Sequence, residues 1–111
     1  MNRKTIIGID LAAKPENPTG LALFRNKRVR TRPVFTDTEI LGEIETNDPS
    51  LVAIDAPLGF AEKGILREAD KEMISRGLRV FPPGLPGMKA LTLRAVQLNW
   101  LILEKGYRTI E

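Results

Sequence analysis

Two short apolar runs, each closed by an aspartate, constrain this chain more than any other feature. Residues 5–11 read TIIGIDL and residues 51–59 read LVAIDAPLG. Runs this short and this uniformly apolar match strands covered on both faces, as in the centre of a parallel sheet. A carboxylate at the end of such a strand is costly to bury if it stays ionised and unpaired. Asp10 and Asp55 are therefore expected where the strands open, with Pro57 and Gly59 forming the turn that opens the chain after Asp55.

The rest of the chain supplies the partners of these strands. Residues 19–25, TGLALFR, read as a second strand, joined to the first through the turn formers of KPENP. Asn26-Lys27 reads as a tight turn into a third strand, 28–35, where Arg28, Arg30 and Arg32 share one face and Pro33 argues for a sheet edge. Thr36 and Glu39 form a capping box for a short helix whose stripe is Ile40, Leu41 and Ile44, ended by Asn47-Asp48-Pro49. A second helix is expected from about Glu62 to Arg76, with Leu66, Ala69, Met73 and Ile74 inward and Gly77 as its stop. After the loop VFPPGLPG, a third helix from about Met88 to Lys105 ends at Gly106 and is apolar on more than one side. That much apolar surface implies burial against several neighbours, and a homodimer through this helix is the partner it suggests. Residues 107–111 read as a fifth strand.

The order β-β-β-α-β-α-α-β predicts a mixed sheet. Strands joined by short turns run antiparallel, and strands reached across helices run parallel to the first. The expected fold is α/β and ribonuclease-H-like, a five-stranded mixed sheet of order 3-2-1-4-5 with flanking helices, in one domain over residues 1–111. Strands one and four are then neighbours, which sets Asp10 beside Asp55. Two such carboxylates repel, and a divalent cation between them satisfies both.

Composition fixes which cation. With no His and no Cys among 111 residues, imidazole and thiolate catalysis, disulfides and the usual zinc or copper sites are excluded. Oxygen ligands point to Mg2+ or Mn2+, and metal ions so placed suit phosphodiester hydrolysis. The net charge of +3 is compatible with nucleic acid as a partner. No run approaches a membrane span or a signal peptide, so no membrane partner and a cytoplasmic location are expected.

A series of motifs also carries a resemblance. GIDLA, NPTGLAL, IDAPLG, READ, FPPGLPGM and the ending GYRTIE resemble the family known as domain of unknown function 429, across essentially the whole chain. The resemblance implies a nuclease of the ribonuclease-H-like fold, and further helices after the position of Glu111 that this domain is expected to lack. It also implies functional roles beyond Asp10 and Asp55. Asp70 and Glu111 become supporting catalytic carboxylates, and Arg67 is expected to hold a phosphate or a strand-end carboxylate, with Asp70 adding a ligand or orienting it. Lys14, just after Asp10, is a candidate anion contact.

Plainer readings compete. Asp10 can bind turn amides, Asp55 can cap the Pro-Gly turn, and Arg67 with Asp70 at i,i+3 can be an ordinary helix-surface pair. The strand-three arginines can track a phosphate backbone or simply protect an edge. For the whole protein the alternatives to a nuclease are a nucleotide- or phosphometabolite-binding module of the same superfold and a non-catalytic interaction domain.

Overall fold

The five strands form one mixed sheet in the order β3-β2-β1-β4-β5, and the helices pack where its apolar side chains demand cover. The structure, a computed structural model, describes residues 4–59, 67–77 and 86–111. In chain order the elements are β1 (Thr5–Asp10), β2 (Thr19–Arg25), β3 (Arg28–Val34), α1 (Asp37–Asn47), β4 (Leu51–Asp55), α2 (Glu68–Ser75), α3 (Pro86–Glu104) and β5 (Thr109–Ile110). β1 pairs antiparallel with β2 and parallel with β4, as the connection lengths require.

Strand periodicity divides the sheet into two unlike faces. Ile7 and Ile9 stand in register with Leu23 and Leu21 on one side and with Val52 and Ile54 on the other. These face Ile40 and Ile44 of α1 and Ala95, Leu98 and Ile102 of α3 in a single apolar core. The alternate residues, Gly8 with Ala22 and Ala53, look the other way and are only half-buried. β4 is thus covered more fully on one face than on the other, because α1 and α3 both sit over the Ile7–Ile9 side.

Local signals set the ends of the elements. The Thr36 hydroxyl accepts from the Glu39 amide at 3.1 Å while the Glu39 carboxylate accepts from the Thr36 amide at 3.3 Å, satisfying donors that the first turn of α1 would leave free. Asp48 ends α1 in the left-handed region, its amide donating to the Ile44 carbonyl at 2.8 Å. Asn26 and Lys27 both take positive φ, the two-residue turn that matches strand twist. Gly77 and Gly106 stop α2 and α3 at positive φ.

Three expectations change. α2 begins at Glu68, because Arg67 is already extended (φ −74, ψ 163); the expected start at Glu62, Leu66, and most of the VFPPGLPG loop lie outside the described residues. Met73 and Ile74 are exposed, since α2 anchors through its polar Asp70 rather than through an apolar stripe. β5 is shortened to Thr109–Ile110 because the Tyr107 amide still donates to Ile102 of α3.

A buried arginine fastens α3 across the top of the sheet. Arg94 is 8 % exposed, donating to Asp37 Oδ1 (3.0 Å), the Ala12 carbonyl (2.8 Å) and the Phe35 carbonyl (2.7 Å). One side chain thereby joins α3, the β1–β2 connection and the start of α1.

Candidate functional site

The site begins where β1 and β4 end. Asp10 and Asp55 are register partners on neighbouring parallel strands, so their backbones are about 4.8 Å apart and their side chains leave the sheet on the same face. Both are exposed. Neither enters an ion pair among the described residues. Across β1, Asp10 faces Gly20, where even a Cβ would stand 3.5 Å from the Asp10 Cβ; a longer side chain there would crowd the carboxylate. The aspartates end a trough of about 560 Å³ floored by Gly8, Gly20, Ala22 and Ala53, with Glu111 also on its wall. After Asp10 the chain turns away as the Ala12 amide donates to Thr19 Oγ1 at 3.0 Å.

Glu111 reaches this place through a second cluster. Arg67, at the start of α2, donates from Nη1 to Glu111 Oε2 (2.8 Å) and from Nη2 to Glu111 Oε1 (2.7 Å). The same guanidinium donates from Nε to Asp70 Oδ2 and from Nη2 to Asp70 Oδ1, both at 3.1 Å. The Arg67 amide adds a bond to Asp70 Oδ2 (2.9 Å), and the Leu58 amide one to Glu111 Oε2 (3.1 Å). Arg67 is therefore gripped by two carboxylates, and it ties α2 to the end of β5 and to the turn after β4.

The electrostatics follow from these bonds. The hydrogen bonds that Arg67 donates to Glu111, then to Asp70, push its guanidinium above its ordinary range. The Arg67 bond holds both the Asp70 and the Glu111 carboxyl below the usual carboxylate range, more than offsetting their burial. Asp55, Arg67, Asp70 and Glu111 line a shared cleft of about 250 Å³.

The structure thus brings Asp10, Asp55 and Glu111 to one trough and Arg67, Asp70 and Glu111 to one ion cluster. Both Asp70 oxygens accept from Arg67, and Asp70 is 3 % exposed. Lys14 lies exposed on the β1–β2 connection. Arg28, Arg30 and Arg32 are in register with Arg25, Leu23 and Leu21, which puts them on the sheet face opposite Asp10 and Asp55; Arg32 pairs with Glu43 of α1 at 2.7 Å. Sequence reasoning missed Arg94 and the Leu58 amide. Arg94 had a readable signal, a lone charge on the helix face that also carries Leu91, Ala95, Leu98 and Ile102. A backbone amide has none.

Among the described residues, Asp10 and Asp55 offer hard oxygen donors at the strand ends, chemistry that suits a hard divalent cation. Among the described residues no group of three or more acidic side chains is gathered tightly enough to hold a metal ion by itself. Asp10 and Asp55 are two carboxylates, and one or two carboxylates are what proteins commonly use to hold Mg2+ when substrate phosphates complete its shell. No helix among the described residues is long and apolar enough to cross a membrane.

Fold and cleft together define an α/β protein with a five-stranded mixed sheet and a pair of acidic residues at the ends of its central parallel strands. The chain belongs to the family described as protein of unknown function (DUF429), whose sequence pattern matches residues 8–101. No curated protein and no solved structure was found to match it.

Proposed function

We propose that the protein is a Mg2+- or Mn2+-dependent phosphodiesterase of ribonuclease-H-like fold, acting on nucleic acid. The observation that carries this reading is the in-register opposition of Asp10 and Asp55 at the open end of β1 and β4. Two like charges this close repel, and a divalent cation turns the repulsion into binding. Asp10 and Asp55 would hold that ion. When bound it supplies a water acidified for attack and neutralises charge on the phosphate.

The chain's own residues then orient what enters. Glu111 is pinned in ionised form by Arg67 and the Leu58 amide. Its Oε1 accepts one of these bonds and keeps a lone pair to align a water. Of the five guanidinium hydrogens of Arg67, Nε uses one, Nη2 two and Nη1 one, which leaves one Nη1 hydrogen for a phosphate oxygen. Asp70 acts through Arg67 as a positioning residue. Lys14 is available to an anion at the Asp10 side.

A second reading, a nucleotide-binding module, draws on the trough floor, where Gly8, Gly20, Ala22 and Ala53 leave room for a flat ring. One set of assays separates the two. Cleavage of DNA and RNA is measured with Mn2+ for the native protein and for Asp10→Asn and Asp55→Asn, alongside thermal shifts with ATP. Metal-dependent cleavage lost in both variants supports the phosphodiesterase. Unchanged cleavage in both sinks it, and stabilisation by ATP without cleavage favours the second reading.

A further inference from the structure

The outer face of α3 carries a second apolar stripe that the fold does not use. Leu93 is 62 % exposed, Val96 37 %, Trp100 59 % and Leu103 49 %. Their spacing of three, four and three residues repeats every half-heptad, the seam along which helices pair. The core residues Ala95, Leu98 and Ile102 occupy the opposite face of the same helix, so the stripe is not a misaligned core. It runs about 15 Å along the helix and exposes on the order of 400 Å² of apolar side chain, comparable to the largest patch on a typical monomer. Because the other face is packed on the sheet and fastened by Arg94, the stripe is presented rigidly, and little order is lost when a partner meets it.

The charges that flank the stripe select the partner and its direction. Lys89, one turn before Leu93, and Glu104, just after Leu103, are both exposed, and neither has an ion-pair partner among the described residues. A second copy aligned parallel would set Lys89 against Lys89 and Glu104 against Glu104. A second copy aligned antiparallel sets Leu93 opposite Leu103 and Val96 opposite Trp100, and brings Lys89 of each copy within about one helical turn of Glu104 of the other. It also opposes the two helix dipoles. We propose that the Leu93–Val96–Trp100–Leu103 face of α3 joins two copies of this chain as an antiparallel helix pair. About 800 Å² buried in all places this contact among weak, reversible associations.

Sedimentation velocity over about 10 µM to about 1 mM protein tests this, in the range where contacts of this size form. The native chain is expected to move from a 12.4 kDa species toward twice that mass as concentration rises. Trp100→Glu is expected to stay monomeric with an unchanged circular dichroism spectrum. Lys89→Glu and Glu104→Lys should each weaken the dimer about two- to fivefold, the weight of an exposed ion pair, and the double exchange should restore it. A native chain that stays monomeric throughout overturns the proposal, as does a Trp100→Glu variant that dimerises normally. A double exchange no better than either single change overturns the antiparallel pairing.

Discussion

Asp10→Asn is expected to make the metal-free protein more stable and the Mn2+-loaded protein less stable than the native one. Asp10 faces Asp55 in register, so their Cβ atoms lie about 5 Å apart at neighbouring strand ends, both side chains exposed. At that separation and near-aqueous screening the repulsion is about 1 kcal/mol. Asn keeps the side chain's shape and removes the charge, so the variant should melt about 4 °C higher in chelator at low salt. The gain should shrink toward zero in 1 M salt, where the Debye length falls to about 3 Å. With Mn2+ at a hundred times its dissociation constant, the native protein gains about 2.7 kcal/mol and overtakes a variant that has lost half of its ligand pair. Differential scanning calorimetry with and without Mn2+ reads this crossing directly. A variant that melts lower than native in chelator would refute the reasoning, because it would show Asp10 bonded to turn amides rather than repelled by Asp55. Parallel melting curves in Mn2+ would refute the cation site.

Other residues give equally specific outcomes. Arg67→Met leaves the buried Asp70 without its cation and should cost about 2–4 kcal/mol in urea unfolding; most of this belongs to Asp70, because Glu111 is 41 % exposed and screened by water. The same cluster sets an acid limit. Asp70 and Glu111 titrate below their ordinary values when folded, so the stability they contribute is present above the ordinary carboxylate range near pH 4 and is lost as pH falls through their lowered values. Melting temperature against pH should therefore drop more steeply below about pH 4 in the native chain than in Arg67→Met. Asp37→Ala removes the acidic partner of buried Arg94 and should lower stability by about 1.5–3 kcal/mol by urea titration.

β1, β2 and β4 were legible as short apolar runs bounded by turn formers and β3 by its alternation after the Asn26-Lys27 turn, and the order followed because the connection lengths leave little choice of direction. The capping box at Thr36 and Glu39 and the positive-φ stops at Gly77 and Gly106 were equally readable, since each satisfies a local backbone need. The pairing of Asp10 with Asp55 followed once β1 and β4 were neighbours. What escaped depends on tertiary context. Met73 and Ile74 sit at helical spacing yet are exposed, because a guanidinium bridge to Glu111, 44 residues away in sequence, docks α2. The basic stripe of β3 was found, but its side of the sheet is decided by pairing with Leu21 and Leu23, which periodicity within one strand cannot supply.

The register that sets Asp10 against Asp55 also guards the folding of the sheet. A slip of β4 by one residue would turn Val52 and Ile54 out to the open face and direct Asp55 toward α1 and α3, among side chains such as Ile7 and Ile40. The misaligned chain would lose two core residues and place a carboxylate in oil, a combined penalty that falls on the one-residue slip. The acidic strand ends therefore act as alignment marks, and a substitution that neutralises them should be watched for slower or less faithful assembly of β4 against β1.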